Sequence, residues 1–164
     1  MAALHISIAA EKIGEIAGFP VTNSLLTTWI VMAILVLLSF VLTRKFRKIP
    51  RYPQLVVESI VGGLHDFFGS IIGEQVHKIF PLLATFFLFI LFTNWAGLIP
   101  GVGTIGLWEV EHGKKLLVPL FRGPTADINM TLALALVAMT YVQFTGFKHL
   151  GLAYLKKFVN LKNP

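Results

Sequence analysis

Cysteine is absent from the 164 residues. That excludes disulfides, thiolate nucleophiles, cysteine-bound zinc and iron–sulfur clusters. Charge is scarce too. Asp, Glu, Lys and Arg make up 13% of the chain, against about 25% in soluble domains, so there is too little charge to cover a water-facing surface. Hydrophobic residues reach 55% and the mean hydropathy is +0.77. A disordered chain and an ordinary soluble enzyme are both poor fits; a membrane protein is the natural one. Motifs that carry enzymatic chemistry are missing as well. There is no GxSxG elbow, no HExxH and no Walker loop. The run "GVGTIG" at 101–106 resembles a dinucleotide loop only superficially, because it follows a long apolar run and not a strand. The five histidines, at 5, 65, 77, 112 and 149, have no ligand spacing, so His65 and His77 read as interfacial polar residues and no metal or cofactor is expected.

What is present is long apolar runs. Val21 to Thr43 carries no charge, and its dense part, Leu25 to Leu42, approaches the roughly 20 residues a bilayer core demands. A signal peptide fits badly: the run is too long, acidic residues precede it, and "RKFRK" follows. A second span covers Pro81 to Ile99, with Pro81 suited to a first helical turn and Pro100-Gly101 as the stop. Trp95 lies near its outer end, where an amphipathic ring favours the interface. A third span covers Ile128 to Phe147, with Thr125 or Asp127 available to cap it. The expected fold class is therefore an all-α integral membrane protein of one domain, residues 1–164. It has an outer segment (1–20), spans at 25–42, 81–99 and 128–147, an outer loop (100–124) and an inner tail (148–164).

Charge orients the spans. With the N-terminus outside, ten of the 14 lysines and arginines fall on the inner side, which satisfies the positive-inside rule and leaves the end of the chain inside. The net charge of +6 then belongs to an anionic membrane face and not to a nucleic-acid partner. Between the first two spans, Val57, Ile60, Val61, Leu64, Phe67, Phe68, Ile71, Ile72, Val76 and Ile79 recur at helical spacing. Glu58, His65, Asp66 and His77 occupy the other face. This pattern predicts an amphipathic helix over 53–78 lying on the inner membrane surface.

Polar groups inside the spans are the best functional clue, since hydrocarbon makes them costly. Asn129, Thr140 and Gln143 fall on one stripe of the third span, facing either a neighbouring helix or a water-filled path. Asp127 stands at its outer end, as a cap or as a proton-accessible group. Asn94, near the outer end of the second span, is a further candidate. No charged residue lies in the middle of any span, so the chain reads as part of a machine and not as a complete pump.

Three segments carry a family resemblance: "GFPVTNSLLTTW" leading into the first span, "FPLLATFFLFILFTNWAGLIPG" at the second and "PLFRGPTADINMTLALAL" at the third. In this order they resemble subunit a of the F-type ATP synthase, and the opening "HISIAAEKIG" is similar to its bacterial members. The resemblance implies a stator in a bacterial cell (inner) membrane, non-enzymatic by itself, beside a rotating c-ring and the subunit b peripheral stalk. It also implies that the "PTADIN" segment, with Asp127 and Asn129, contributes to an outer proton half-channel. Members of that family continue into two long tilted helices, the first bearing an essential arginine. Here the last arginine is Arg122, in the outer loop, so the sequence reads as the N-terminal two-thirds of such a subunit. The alternative reading is a small multi-pass scaffold or permease subunit without a proton path.

Overall fold

The computed structural model describes residues 10–111 and 114–157. The first nine residues of the expected outer segment, the loop tip at 112–113 and the tail from 158 lie outside them. The chain forms two compact units, Met1–Ala126 and Asp127–Pro164.

The first unit opens with a hairpin of β1 (Lys12–Ile16) and β2 (Phe19–Thr22), in which Ile16 pairs with Phe19 and Glu15 with Pro20. Ala17 and Gly18 form its turn, both at positive φ (51° and 83°). Such turns match the twist of the two strands. The helix α1 (Asn23–Thr43) follows at once, and the Thr22 hydroxyl caps it by accepting from the Leu25 N–H at 3.2 Å. The helices α2 (Tyr52–Ile72) and α3 (Val76–Leu98) come next, joined by a 3₁₀ turn at Gly73–Gln75. A second antiparallel hairpin, β3 (Gly106–Glu111) with β4 (Lys114–Pro119), occupies the region where the sequence reading expects only loop. The second unit is α4 (Ile128–Leu150) and a 3₁₀ segment, Gly151–Lys157. There Tyr154 is buried, its ring edge-on to Phe147 at 5.2 Å.

Three helical stretches are long and apolar enough to cross a membrane, the second running from Tyr52 to Leu98 through the 3₁₀ turn. The architecture is that of a mostly helical, multi-pass membrane protein. Its burial pattern is the reverse of a soluble core. Asn23, Ser24, Thr27, Thr28 and Thr93 are buried, whereas Val36, Leu37, Phe40, Val41 and Phe87 are exposed. In hydrocarbon, unspent polar groups are costly and exposed apolar ones are not. Hydroxyls in the helices are accordingly spent on their own backbone. Thr27 donates to the Asn23 carbonyl (2.9 Å), Thr28 to Ser24 (2.8 Å), Thr85 to Pro81 (2.7 Å) and Thr93 to Phe89 (2.8 Å).

Two boundaries differ from the sequence reading. The amphipathic segment is not one helix to residue 78. It breaks at Gly73, whose φ of +73° suits a residue without a Cβ. The next helix then starts at Val76, which places Pro81 inside α3 and not in its first turn. Pro81 has no N–H to offer the His77 carbonyl one turn earlier.

The apolar side of α2 is divided. At about 100° per residue, Val56, Ile60, Phe67 and Ile71 share one sector and are exposed. Val57, Leu64 and Phe68 fall in the adjacent sector and are half-covered. Val57 and Val61 join Leu38 and Leu42 of α1 and Leu88 and Phe92 of α3 around a cavity of about 240 Å³. The Gln54 side chain folds the basic linker onto α2: its Oε1 accepts from the Arg47 N–H (3.0 Å) and its Nε2 donates to the Arg47 carbonyl (2.9 Å).

At the opposite end of α1, Asn23 is fully buried. Its N–H donates to the Glu11 carbonyl (3.0 Å), its Oδ1 accepts from the Glu11 N–H (3.2 Å), and its Nδ2 donates to the Pro119 carbonyl (3.1 Å). Replacing it with Ala takes this partner from the part-buried Glu11 N–H and Pro119 carbonyl. Asn23→Ala is expected to cost about 1–3 kcal/mol, read as a lowered thermal midpoint of the purified chain in detergent; an unchanged midpoint would remove Asn23 as the organising contact.

Candidate functional site

The candidate residues lie near the end of α3 in the first unit and along α4 in the second. Asn94 lies in the last two turns of α3, which ends at Leu98. After the hairpin β3–β4, the chain returns past Arg122, whose N–H donates to the buried Thr27 hydroxyl of α1 at 3.2 Å. Gly123 then meets Gly97 of α3: a Cβ on Gly97 would stand 3.0 Å from the Gly123 Cα. This close approach favours glycine at position 97, and it leads into the short 3₁₀ turn Pro124–Ala126. That turn brings Thr125 to Asn94, with the Thr125 hydroxyl donating to Asn94 Oδ1 at 2.6 Å.

Of the two candidate caps for α4, the structure selects Asp127. It has extended backbone geometry (φ −97°, ψ 122°) and its side chain accepts from the Asn129 N–H at 3.0 Å. The same oxygen, Oδ1, also accepts from Asn129 Nδ2 at 3.2 Å. Asp127 is 5% exposed, whereas Asn129 is exposed, so the pair joins a buried carboxylate to an amide at the surface. The Asp127 carbonyl accepts from the Thr131 N–H at 3.2 Å and so opens the helix. Thr125 has its hydroxyl engaged with Asn94, a pairing between residues 31 apart that sequence spacing could not reveal.

Thr140 and Gln143 lie farther along α4, on the stripe begun by Asn129; at 1.5 Å per residue, they are about 20 and 24 Å from Asp127. Neither has a hydrogen-bond partner among the described residues. Thr140 sits in a shallow apolar groove with Leu136, Val137, Tyr141 and Phe144. The structure thus groups the five sequence candidates into the Asn94–Thr125 pair, the Asp127–Asn129 pair and the Thr140/Gln143 stripe. Among the described residues, no group of three or more His, Asp or Glu side chains is placed to hold a metal.

These features define a multi-pass membrane protein with a buried carboxylate capping one helix and exposed carboxamides at helix ends. A family model described as ATP synthase A chain matches residues 25–164, and the chain belongs to that family. The ATP synthase subunit a of Oleidesulfovibrio alaskensis is 39% identical over 132 residues, covering 80% of this chain and 48% of that protein. The subunit a of Desulfotalea psychrophila is 38% identical over 167 residues, covering 95% and 62%. That of Gloeobacter violaceus is 34% identical over 137 residues, covering 83% and 52%. The chain therefore spans about half the length of the curated relatives it matches.

The cap makes a prediction of its own. Asp127→Asn and Asp127→Ser preserve a side-chain acceptor and should leave α4 nearly unperturbed, whereas Asp127→Ala should weaken its first turn by about 1 kcal/mol. Hydrogen exchange of the Asn129 and Thr131 amides checks this: faster exchange in the Ala variant alone is the expected result.

Proposed function

We propose that this chain is part of the membrane stator of an F-type ATP synthase and contributes to the proton half-channel on the outer side, beside a c-ring and a subunit b stalk. Family membership and the three apolar spans support the stator role. The observation that carries the half-channel reading is the Asp127–Asn129 pair. Asp127 is the only acidic residue from there to the end of the chain. Both bonds from Asn129 converge on Oδ1. Oδ2 can then take and release a proton while Oδ1 continues to cap the helix.

Asn94 and Thr125 supply a second donor–acceptor pair that could orient water. Thr140 and Gln143 extend the polar stripe toward mid-membrane. A polar side chain in hydrocarbon is costly unless it meets a partner helix or water, and their unspent groups support a water-bearing face. Ten of 14 basic residues on one side of the spans support an outer N-terminus and an inner end of the chain. The apolar sector of α2, Val56, Ile60, Phe67 and Ile71, next to the basic linker, supports a helix lying at the inner bilayer surface.

Two measurements test this reading. In the assembled synthase carrying this sequence, Asp127→Asn should leave assembly intact and slow proton-driven ATP synthesis several-fold, with Asn129 and water retaining part of the relay. Wild-type rates in that variant would leave Asp127 a cap alone and favour a scaffold without a proton path. For topology, single cysteines on this cysteine-free chain should label from outside at Trp108 and from inside at Lys156; labelling of Trp108 from inside overturns the orientation.

A further inference from the structure

The 3₁₀ turn at Gly73–Gln75 brings together two histidines that lie 12 residues apart in sequence. His65 Nε2 of α2 is 3.3 Å from His77 Nδ1 of α3, and the ring centroids are 4.9 Å apart. Two nitrogens that bind one tetrahedral Zn²⁺ at about 2.0–2.1 Å stand about 3.3–3.4 Å apart, so the spacing fits a shared metal with little movement of either helix. A second observation concerns the far side of the His65 ring. There Nδ1 faces the Asp66 carboxylate, 3.6 Å away. A carboxylate in that place favours the proton on Nδ1 and leaves the Nε2 lone pair directed at His77. At 3.6 Å, with Asp66 exposed, this is a charge contact just beyond hydrogen-bond reach; closing it slightly gives the carboxylate–histidine pairing that orients metal-binding histidines. Phe80 packs edge-on against the His65 ring at 5.0 Å and limits its rotation. The pair is reachable from water: the His65 side chain is 32% exposed and His77 is exposed.

We propose that His65 and His77 form a two-histidine site for a borderline divalent cation, with Zn²⁺ as the reference ion, that clamps α2 to α3 across Gly73. Imidazole nitrogen suits Zn²⁺, Ni²⁺ and Cu²⁺, and not Mg²⁺ or Ca²⁺. With two protein ligands, water completes the coordination sphere. The site is therefore exchangeable, unlike a closed structural zinc centre. In the free chain one hydrogen bond joins the two nitrogens, with His77 Nδ1–H donating to His65 Nε2; when the metal takes its place, His77 shifts its single proton from Nδ1 to Nε2, so both rings stay neutral and each offers a lone pair. Bound metal fixes the distance between the two helices at their junction and so restricts the one backbone joint, Gly73, that sets their angle.

Zinc titration of the purified chain in detergent, in competition with a chromophoric chelator, tests the site. One equivalent should bind, and His65→Gln or His77→Gln should each lower the affinity by at least about ten-fold. Asp66→Asn should weaken binding less than either, and His149→Gln should leave it unchanged. Zn²⁺ should also slow amide exchange at Gly73–Gln75 in the wild type but not in His77→Gln. Zinc affinity unaltered in the double histidine variant would overturn the proposal. Should that variant fail to fold, Cu²⁺ bound to the wild-type chain gives an independent answer by electron paramagnetic resonance. Hyperfine coupling to two imidazole nitrogens is expected, and coupling to none or one overturns the site.

Discussion

The side chain of Asn23 holds the polar end of the first unit together. An amide offers two donors and an acceptor in one plane. Here they are spent on Glu11, the residue just before β1, and on Pro119, the last residue of β4. Asn23 also accepts the next residue's N–H, from Ser24 at 2.9 Å, so the amide is locked to the first turn of its own helix. One turn on, Thr27 accepts from the Arg122 N–H. Two adjacent turns of α1 thus anchor both ends of the segment 119–122, and that segment delivers Gly123 to α3 and Thr125 to Asn94. Geometry around Asn94 therefore depends on contacts made at the start of α1.

This arrangement reflects the solvent. Where lipid surrounds the helices, burying leucine against leucine gains little over leaving it in acyl chains. Order comes instead from hydrogen bonds and from close backbone approach. Most of the covered residues have hydrogen bonds to make, with Val21, Val31 and Val76 as apolar exceptions, and many large aliphatic and aromatic side chains are exposed. The helix α2 adapts to both surroundings, with one apolar sector turned to its neighbouring helices and the next turned outward.

The spans were legible because bilayer thickness imposes a length that composition alone reveals. Expected limits of 25–42, 81–99 and 128–147 lie inside α1, α3 and α4 to within one residue at the C-terminal end of α3. The Asp127 cap was legible for a similar reason, since its signal is local. What sequence could not supply were contacts between segments. Gly73 stands in the predicted helix as one weak residue among several, and only its positive φ marks it as the break. Pro81 suits a first turn by its own chemistry, yet the helix begins five residues earlier because Val76 is covered by its neighbours. The two hairpins lie in an outer segment and a Gly-rich outer loop for which the sequence reading expects no strands, because the strands are short and lack a strict alternation. Thr125 with Asn94, and His65 with His77, depend on turns whose geometry no spacing rule encodes.

The contact between Gly97 and Gly123 has a consequence for how such a sequence can drift. The constraint is one-sided: a Cβ on Gly97 would stand 3.0 Å from the Gly123 Cα, whereas a Cβ on Gly123 would meet Gly97 at an ordinary 3.4 Å. A side chain at position 97 would have to be accompanied by a shift of the Gly123 backbone, and with it Thr125. Position 97 should therefore drift only together with the path of the segment after β4, while position 123 is freer to change.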